Sequence, residues 1–135
     1  MDVCPTGASY KRADGIVAVD YDKCMGCRYC ETACPYGART FIDAIRGYFA
    51  QGLTPYEQVM YAKHQVGVEE KCNFCMDLVA RGEEPACVKT CIGHARHFGD
   101  LDNPNSEVAQ LIAQRRGYQL LPELGTNPSV YYLSA

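Results

Sequence analysis

The chain has 135 residues, 47% hydrophobic and 21% charged, with a formal net charge of -3. That size suits one domain or part of a larger one, the composition excludes disorder, and the charge gives no electrostatic case for a nucleic-acid partner. No apolar run approaches the roughly 20 residues that cross a bilayer, so direct membrane insertion is not expected, and no signal peptide is visible after Met1.

The chain opens on the word Cys4-Pro5-Thr6-Gly7-Ala8. Residues 9–20 then read SYKRADGIVAVD, in which Asp14-Gly15 signals a hairpin turn and Ile16, Val17 and Val19 supply a returning strand. Cys24, Cys27, Cys30 and Cys34 follow as C-x2-C-x2-C-x3-C, closed by Pro35, which ends any helical turn running from about Arg28 to Ala33. A cysteine-free connector comes next. Thr54-Pro55-Tyr56-Glu57 offers an N-cap, a proline at the first helical position and a glutamate at the third. A short helix is expected from Pro55 to about Lys63, packing through Val59, Met60 and Lys63. Cys72, Cys75, Cys87 and Cys91 form a second run, C-x2-C-x11-C-x3-C. Beyond it, Pro104 is expected to start a helix and Gly117 to stop it, with Val108, Leu111 and Ile112 as the buried stripe. The tail TNPSVYYLSA is read as a turn and a short extended strand.

Large aliphatic residues are sparse, so the apolar core should be small and another source of cohesion is needed. The nine cysteines are that source. Their odd number and tight x2 spacing suit metals better than disulfides. The first run is the bacterial pattern for [4Fe–4S] clusters. Three thiolates two residues apart can wrap one cuboidal cluster in a loop whose backbone N–H groups turn toward the sulfurs, and Gly26 permits close approach. Structural zinc prefers two separated C-x2-C pairs around one ion. That reading fits the first run poorly and the second better. The second run's x3 step repeats the first run's geometry, and Cys91-Ile92-Gly93-His94-Ala95 echoes Cys34-Pro35-Tyr36-Gly37-Ala38 and the Cys4 word. Repeated words of this kind fold alike, so iron–sulfur is expected in both runs.

In two-cluster ferredoxins the fourth cysteine of a run ligates the other cluster. On that rule Cys24, Cys27 and Cys30 need a fourth ligand from a partner motif, and Cys4 has the right context. These four are expected to complete one [4Fe–4S] site. Cys34, Cys72, Cys75, Cys87 and Cys91 are expected to belong to sites whose partners this chain lacks. Nine cysteines do not divide into fours, whereas sixteen would serve four clusters. The chain is therefore expected to be an N-terminally truncated portion of a four-cluster protein, against the alternative of a shortened protein with one complete cluster and one improvised site.

The words CPTGASYKRADGIVAVDYDKCMGCRYCETACPYGAR, KCNFC, PACVKTC, FGDLDNPNSEV and PELGTNPSVYYL resemble the iron–sulfur electron-transfer subunit of the molybdopterin oxidoreductases, the kin of dimethyl sulfoxide, polysulfide, thiosulfate and tetrathionate reductases. The resemblance covers nearly the whole chain. It implies an α+β fold of the small bacterial ferredoxin-like [4Fe–4S] type, with short hairpin strands, short helices and long cofactor-wrapping loops. In this family four motifs bind four [4Fe–4S] clusters in two pairs, first with fourth and second with third. This chain matches the end of the second motif at Cys4, the third from Cys24 to Cys34 and the fourth from Cys72 to Cys91. The expected layout is residues 1–40 as the C-terminal part of a cluster domain, 41–71 as a connector with a short helix, 72–100 as the fourth motif, and 101–135 as helix and tail. The resemblance further implies single-electron transfer without a catalytic site of its own. The partners would be a molybdopterin catalytic subunit and a quinone-reactive membrane anchor, in a peripheral membrane complex with the periplasmic side favoured over the cytoplasmic. A zinc-stabilised interaction module and a free-standing ferredoxin are the competing readings.

Lys23, Arg28 and Arg39 flank the first run and Lys71, Lys89 and Arg96 the second. A nearby cation stabilises a reduced, more negative cluster, although for any one of them a solvated surface or a subunit contact is the favoured reading. Tyr21, Tyr29, Tyr36 and Phe74 are candidates to shield clusters from water or simply to pack. His64, His94 and His97 are weak ligand candidates where thiolates are so abundant.

Overall fold

Ser9, Tyr10 and Lys11 form β1 (Ser9–Lys11), which pairs antiparallel with β2 (Val17–Val19) in the register Ser9↔Val19 to Lys11↔Val17. The Asp14-Gly15 signal holds: Gly15 sits at φ 85 and donates its N–H to the Arg12 carbonyl at 3.0 Å, closing the turn. The computed structural model describes residues 1–134. They divide into one compact unit, Met1–Met76, and a second that begins at Asp77.

In the first unit the hairpin leads directly into the cysteine loop. Asp20 continues the ladder by donating its N–H to the Ala8 carbonyl at 2.8 Å. Its carboxylate accepts from the N–H groups of Asp22 and Lys23, and its carbonyl accepts from Cys24 at 3.0 Å. This Asx-type turn fixes where the first clustered cysteine starts. Helix α1 (Tyr29–Thr32) follows and ends at Ala33, as Pro35 requires. A second antiparallel pair joins β3 (Thr40–Phe41) to β4 (Glu69–Glu70), with Phe41 opposite Glu69. Two further backbone bonds extend it, from Ile42 N–H to Val68 O at 3.0 Å and from Gly67 N–H to Ile42 O at 2.7 Å. Ala8, Ile16, Ala18 and Val68 form the unit's small apolar core.

Helix α2 (Pro55–Tyr61) carries the capping box complete. Thr54 caps the N–H of Glu57, while the Glu57 carboxylate accepts from the N–H groups of Thr54 and Tyr48, both at 2.7 Å. The helix does not pack through Val59, Met60 and Lys63. Val59 is 68% exposed, Met60 is also exposed, and Lys63 lies past the last helical residue. The residue held inside is Glu57, so hydrogen bonding to the preceding loop, rather than apolar contact, anchors this helix.

The second unit contains α3 (Met76–Val79, starting at the junction), α4 (Ala86–Lys89) and α5 (Glu107–Gln114). Pro104 does not start α5. Asn103 closes a local turn by accepting the Asn105 N–H at 3.0 Å, and Ser106 is the N-cap, accepting the Ala109 N–H at 3.3 Å. Val108 is buried, with Leu111 and Ile112 half-buried, so the expected stripe is correct. The helix stops through a Schellman closure in which Gly117 donates to the Ile112 carbonyl at 2.9 Å. The left-handed residue there is Arg116 (φ 52). Gly117 gives close packing instead: a Cβ there would press on the Leu133 and Ile112 side chains at 3.1–3.2 Å. The tail forms one antiparallel bridge, Tyr118↔Tyr132. No helix among the described residues is long and apolar enough to cross a membrane.

Candidate metal centre

All nine cysteines are free thiols, and none is fully buried. The loop that carries Cys24, Cys27 and Cys30 is shaped by two left-handed residues, Gly26 (φ 68) and Arg28 (φ 61). Alternation of this kind turns successive N–H groups to one side and builds an anion-binding concavity. Gly26 has no room for a side chain. A Cβ there would lie 2.3 Å from the Gly67 carbonyl oxygen and 3.0 Å from the Phe41 ring. The loop is therefore seated against the β3–β4 edge. From that edge the Glu69 N–H donates to the Cys24 sulfur at 3.5 Å.

The same backbone device recurs at the three echoing words. The N–H of Ala38 donates to the Cys34 sulfur at 3.4 Å, and that of Ala95 to the Cys91 sulfur at 3.3 Å. At Cys4 the thiol is pulled down from 9.0 to about 7, chiefly by the Ser9 N–H, with Thr6 and Ala8 adding to it and burial opposing. Each word closes with an i→i+3 turn, from Gly7 to Cys4, Gly37 to Cys34 and His94 to Cys91, at 3.1–3.3 Å. The fourth, closing residue of the turn is left-handed in every case: Gly7 at φ 68, Gly37 at φ 59 and His94 at φ 44. The glycine displaced to position 93 thus leaves a histidine in a conformation that favours glycine. His94 is a turn residue by geometry. His64 and His97 are engaged with Glu70 (2.6 Å) and Glu107 (2.9 Å).

In the second run Cys72-Asn73-Phe74-Cys75 repeats the first loop's opening. Phe74 (φ 55) occupies the position of Gly26, Cys75 is also left-handed (φ 49), and the Cys75 N–H is held by the Asn73 side chain at 3.0 Å. An open groove of about 400 Å³ lined by Gly37, Ala38, Thr40 and Ile42 on one side and by Glu70, Lys71 and Cys72 on the other places the Cys34 word near Cys72. In the second unit Cys87 lies on α4, and Cys91 follows it past the Thr90 cap.

Asp20 ties the segment after Cys4 to the cysteine loop, donating to the Ala8 carbonyl and accepting from the Cys24 N–H. Among the described residues no three His, Cys, Asp or Glu side chains converge on a metal-ion site, the Cys24, Cys27 and Cys30 thiols included. The donor set is of the kind that suits a [4Fe–4S] cluster, with thiols on a glycine-relieved loop and backbone N–H groups directed at the Cys24 and Cys34 sulfurs. One buried donor, Arg39 Nη1, has no partner of its own. Tyr21 is half-buried near Cys24, where burial raises its phenol, whereas Tyr29 is 65% exposed. Lys71 is half-buried: its ammonium binds the Val17 and Cys72 carbonyls, and burial lowers its affinity for a proton.

Sequence reasoning missed Glu69. It is 1% exposed, neither carboxylate oxygen has a hydrogen-bond partner, and burial and then Glu31 raise its carboxyl above the ordinary value. Nothing in VGVEEKC distinguishes it from Glu70, because only the β3–β4 register turns it inward.

Residues 43–101 match the 4Fe-4S dicluster domain family and residues 17–40 the 4Fe-4S binding domain family. The chain is 49% identical to a selenate reductase subunit of Mesobacillus selenatarsenatis over 98% of its own length and 49% of that protein. It is 43% identical to the Hdr-like menaquinol oxidoreductase iron-sulfur subunit 1 of Archaeoglobus fulgidus, over 98% of this chain and 51% of the relative. It is 39% identical to a polysulfide reductase subunit of Wolinella succinogenes, over 97% and 58%. The chain thus spans about half the length of the relatives it matches.

Proposed function

We propose that this chain, which carries matches to two 4Fe-4S binding families, is an iron–sulfur subunit of the molybdopterin oxidoreductase kind and relays electrons inside a multisubunit reductase. The relay runs between a molybdopterin catalytic subunit and a quinone-reactive membrane subunit. The relatives' names support the two ends, one a selenate reductase and the other a menaquinol oxidoreductase. The chain itself makes and breaks no substrate bond. It sits peripherally on the membrane complex, on the periplasmic side.

Cys24, Cys27, Cys30 and Cys4 hold one cluster in this reading. Cys34, Cys72, Cys75, Cys87 and Cys91 serve further cluster positions. When bound, a [4Fe–4S] cluster accepts and returns one electron at a time. The chain's part is to bind and tune. Its thiols supply the ligands, and its N–H groups offset the negative charge on sulfur. The carrying observation is the recurrent N–H···S bond from the fourth residue after the cysteine, at Ala38 and Ala95. Backbone donors placed on sulfur favour the thiolate, the form that ligates metal.

The test is metal analysis after anaerobic purification. Brown protein with iron and acid-labile sulfide in equal amounts, bleached by dithionite, is the expected result. Colourless protein with stoichiometric zinc contradicts the proposal.

A further inference from the structure

Three basic side chains flank the first cysteine loop, and they differ in what they face. Lys23 is paired with Asp20 at 2.7 Å. Arg28 is paired with Glu31 at 2.7 Å and lies over the Phe41 ring at 5.0 Å. Arg39 has no ion pair among the described residues. Its positive charge is felt at the Cys30 sulfur, while its Nη1 is buried with no partner. A buried N–H without an acceptor is costly, so such a donor in a native structure calls for an explanation. Glu69 adds to the case. Its carboxylate is buried with both oxygens unpartnered, and it feels the charges of Arg28 and Arg39 without bonding to either. The Arg39 donor is thus left free beside a sulfur that is assigned to the cluster.

An anionic group next to Cys30 would satisfy that donor. A cluster ligated by Cys30 is such a group, and its inorganic sulfides are acceptors. Arginine stays protonated at every working pH and presents a rigid fork of donors. Burial weakens the screening of its charge. The position also differs from a surface cation's, because one of the guanidinium's donors is buried.

We propose that Arg39 is a positioning residue that raises the reduction potential of the cluster held by Cys24, Cys27 and Cys30. The inference rests on that ligand assignment. Reduction adds one electron, delivered by the preceding centre of the relay, and makes the cluster one charge more negative. A fixed neighbouring cation stabilises the reduced form more than the oxidised form. Arg39 therefore makes this cluster a better electron acceptor than its ligands alone would.

The experiment is potentiometric EPR on the iron-loaded chain and on Arg39→Gln and Arg39→Lys, with iron and sulfide measured on each. Arg39→Gln is expected to lower the reduced-to-oxidised ratio at a fixed ambient potential about tenfold, which is about 59 mV for a one-electron couple. Arg39→Lys keeps the charge and should stay within about twofold of the parent. If Arg39→Gln fails to load iron while Arg39→Lys loads it, the charge holds the cluster rather than setting its potential, which overturns the proposal. An unchanged midpoint in a fully loaded Arg39→Gln protein overturns it. Loss of iron in Arg39→Lys as well overturns it too, because packing rather than charge is then what matters. Failure of the underlying ligand assignment reads differently: the parent's own signal would survive Cys27→Ser.

Discussion

Gly26→Ala tests the seating of the cysteine loop. The substitution adds one methyl group, and two separate costs follow. The first is backbone strain, because Gly26 sits at φ 68, where an L-residue pays about 1–2 kcal/mol. The second is steric. The new Cβ would lie 2.3 Å from the Gly67 carbonyl oxygen, a backbone atom of the β3–β4 edge that cannot swing away. Relieving such overpacking costs about 1–3 kcal/mol. Gly37→Ala is the control. Gly37 sits at φ 59 but has nothing within 4 Å of the added methyl, so it carries the strain alone. The difference between the two variants isolates the clash. At about 4 °C per kcal/mol for a chain of this size, Gly26→Ala should melt about 4–12 °C below Gly37→Ala in anaerobic thermal scans. It should also lose iron where Gly37→Ala keeps it. Equal melting and equal iron content in the two variants would refute the seating of the loop on Gly67.

The left-handed residues that are not glycine give the opposite sign. His94→Gly and Arg116→Gly remove strain at φ 44 and φ 52; relief of about 1–2 kcal/mol against about 0.5–1 kcal/mol of added chain entropy leaves each variant slightly more stable, read as a melting rise of a few degrees. Glu57 governs acid sensitivity. The N–H groups of Tyr48 and then Thr54 lower its carboxyl below the ordinary 4.5, so its contribution is complete above that value and is lost as pH falls through the lowered one. Hydrogen exchange at Gln58, whose N–H bonds the Thr54 carbonyl, should accelerate in that acid window, and Glu57→Gln should abolish the pH dependence. Thr54→Ala removes the reciprocal cap and should cost about 1 kcal/mol, seen as faster exchange across α2 at neutral pH.

Local chemistry was the legible part of this fold. Asp14-Gly15 implies its hairpin and Thr54-Pro55-x-Glu57 its capped helix because each signal acts over a few residues. The cysteine words were legible for the same reason, and their shared N–H···S geometry follows from their shared spelling. The β3–β4 pair was not legible. Two strands of two residues, separated by the whole connector, carry no periodicity to read. Its consequences were hidden with it: the inward turn of Glu69 and the Gly67 carbonyl that closes on Gly26. The connector helix misled because Val59 and Met60 look like a packing face, while the anchoring is done by a carboxylate. His94 was recognised only as a shifted echo; that it takes glycine's backbone role needed coordinates.

The proposed relay depends on Cys4 and the Cys24–Cys30 loop sharing one cluster. EPR of the dithionite-reduced chain tests this directly, comparing Cys4→Ser with Cys27→Ser. Both substitutions should alter or remove the same signal and leave any other intact. A Cys4→Ser spectrum identical to the parent's, beside a Cys27→Ser spectrum that has lost a cluster, would contradict it.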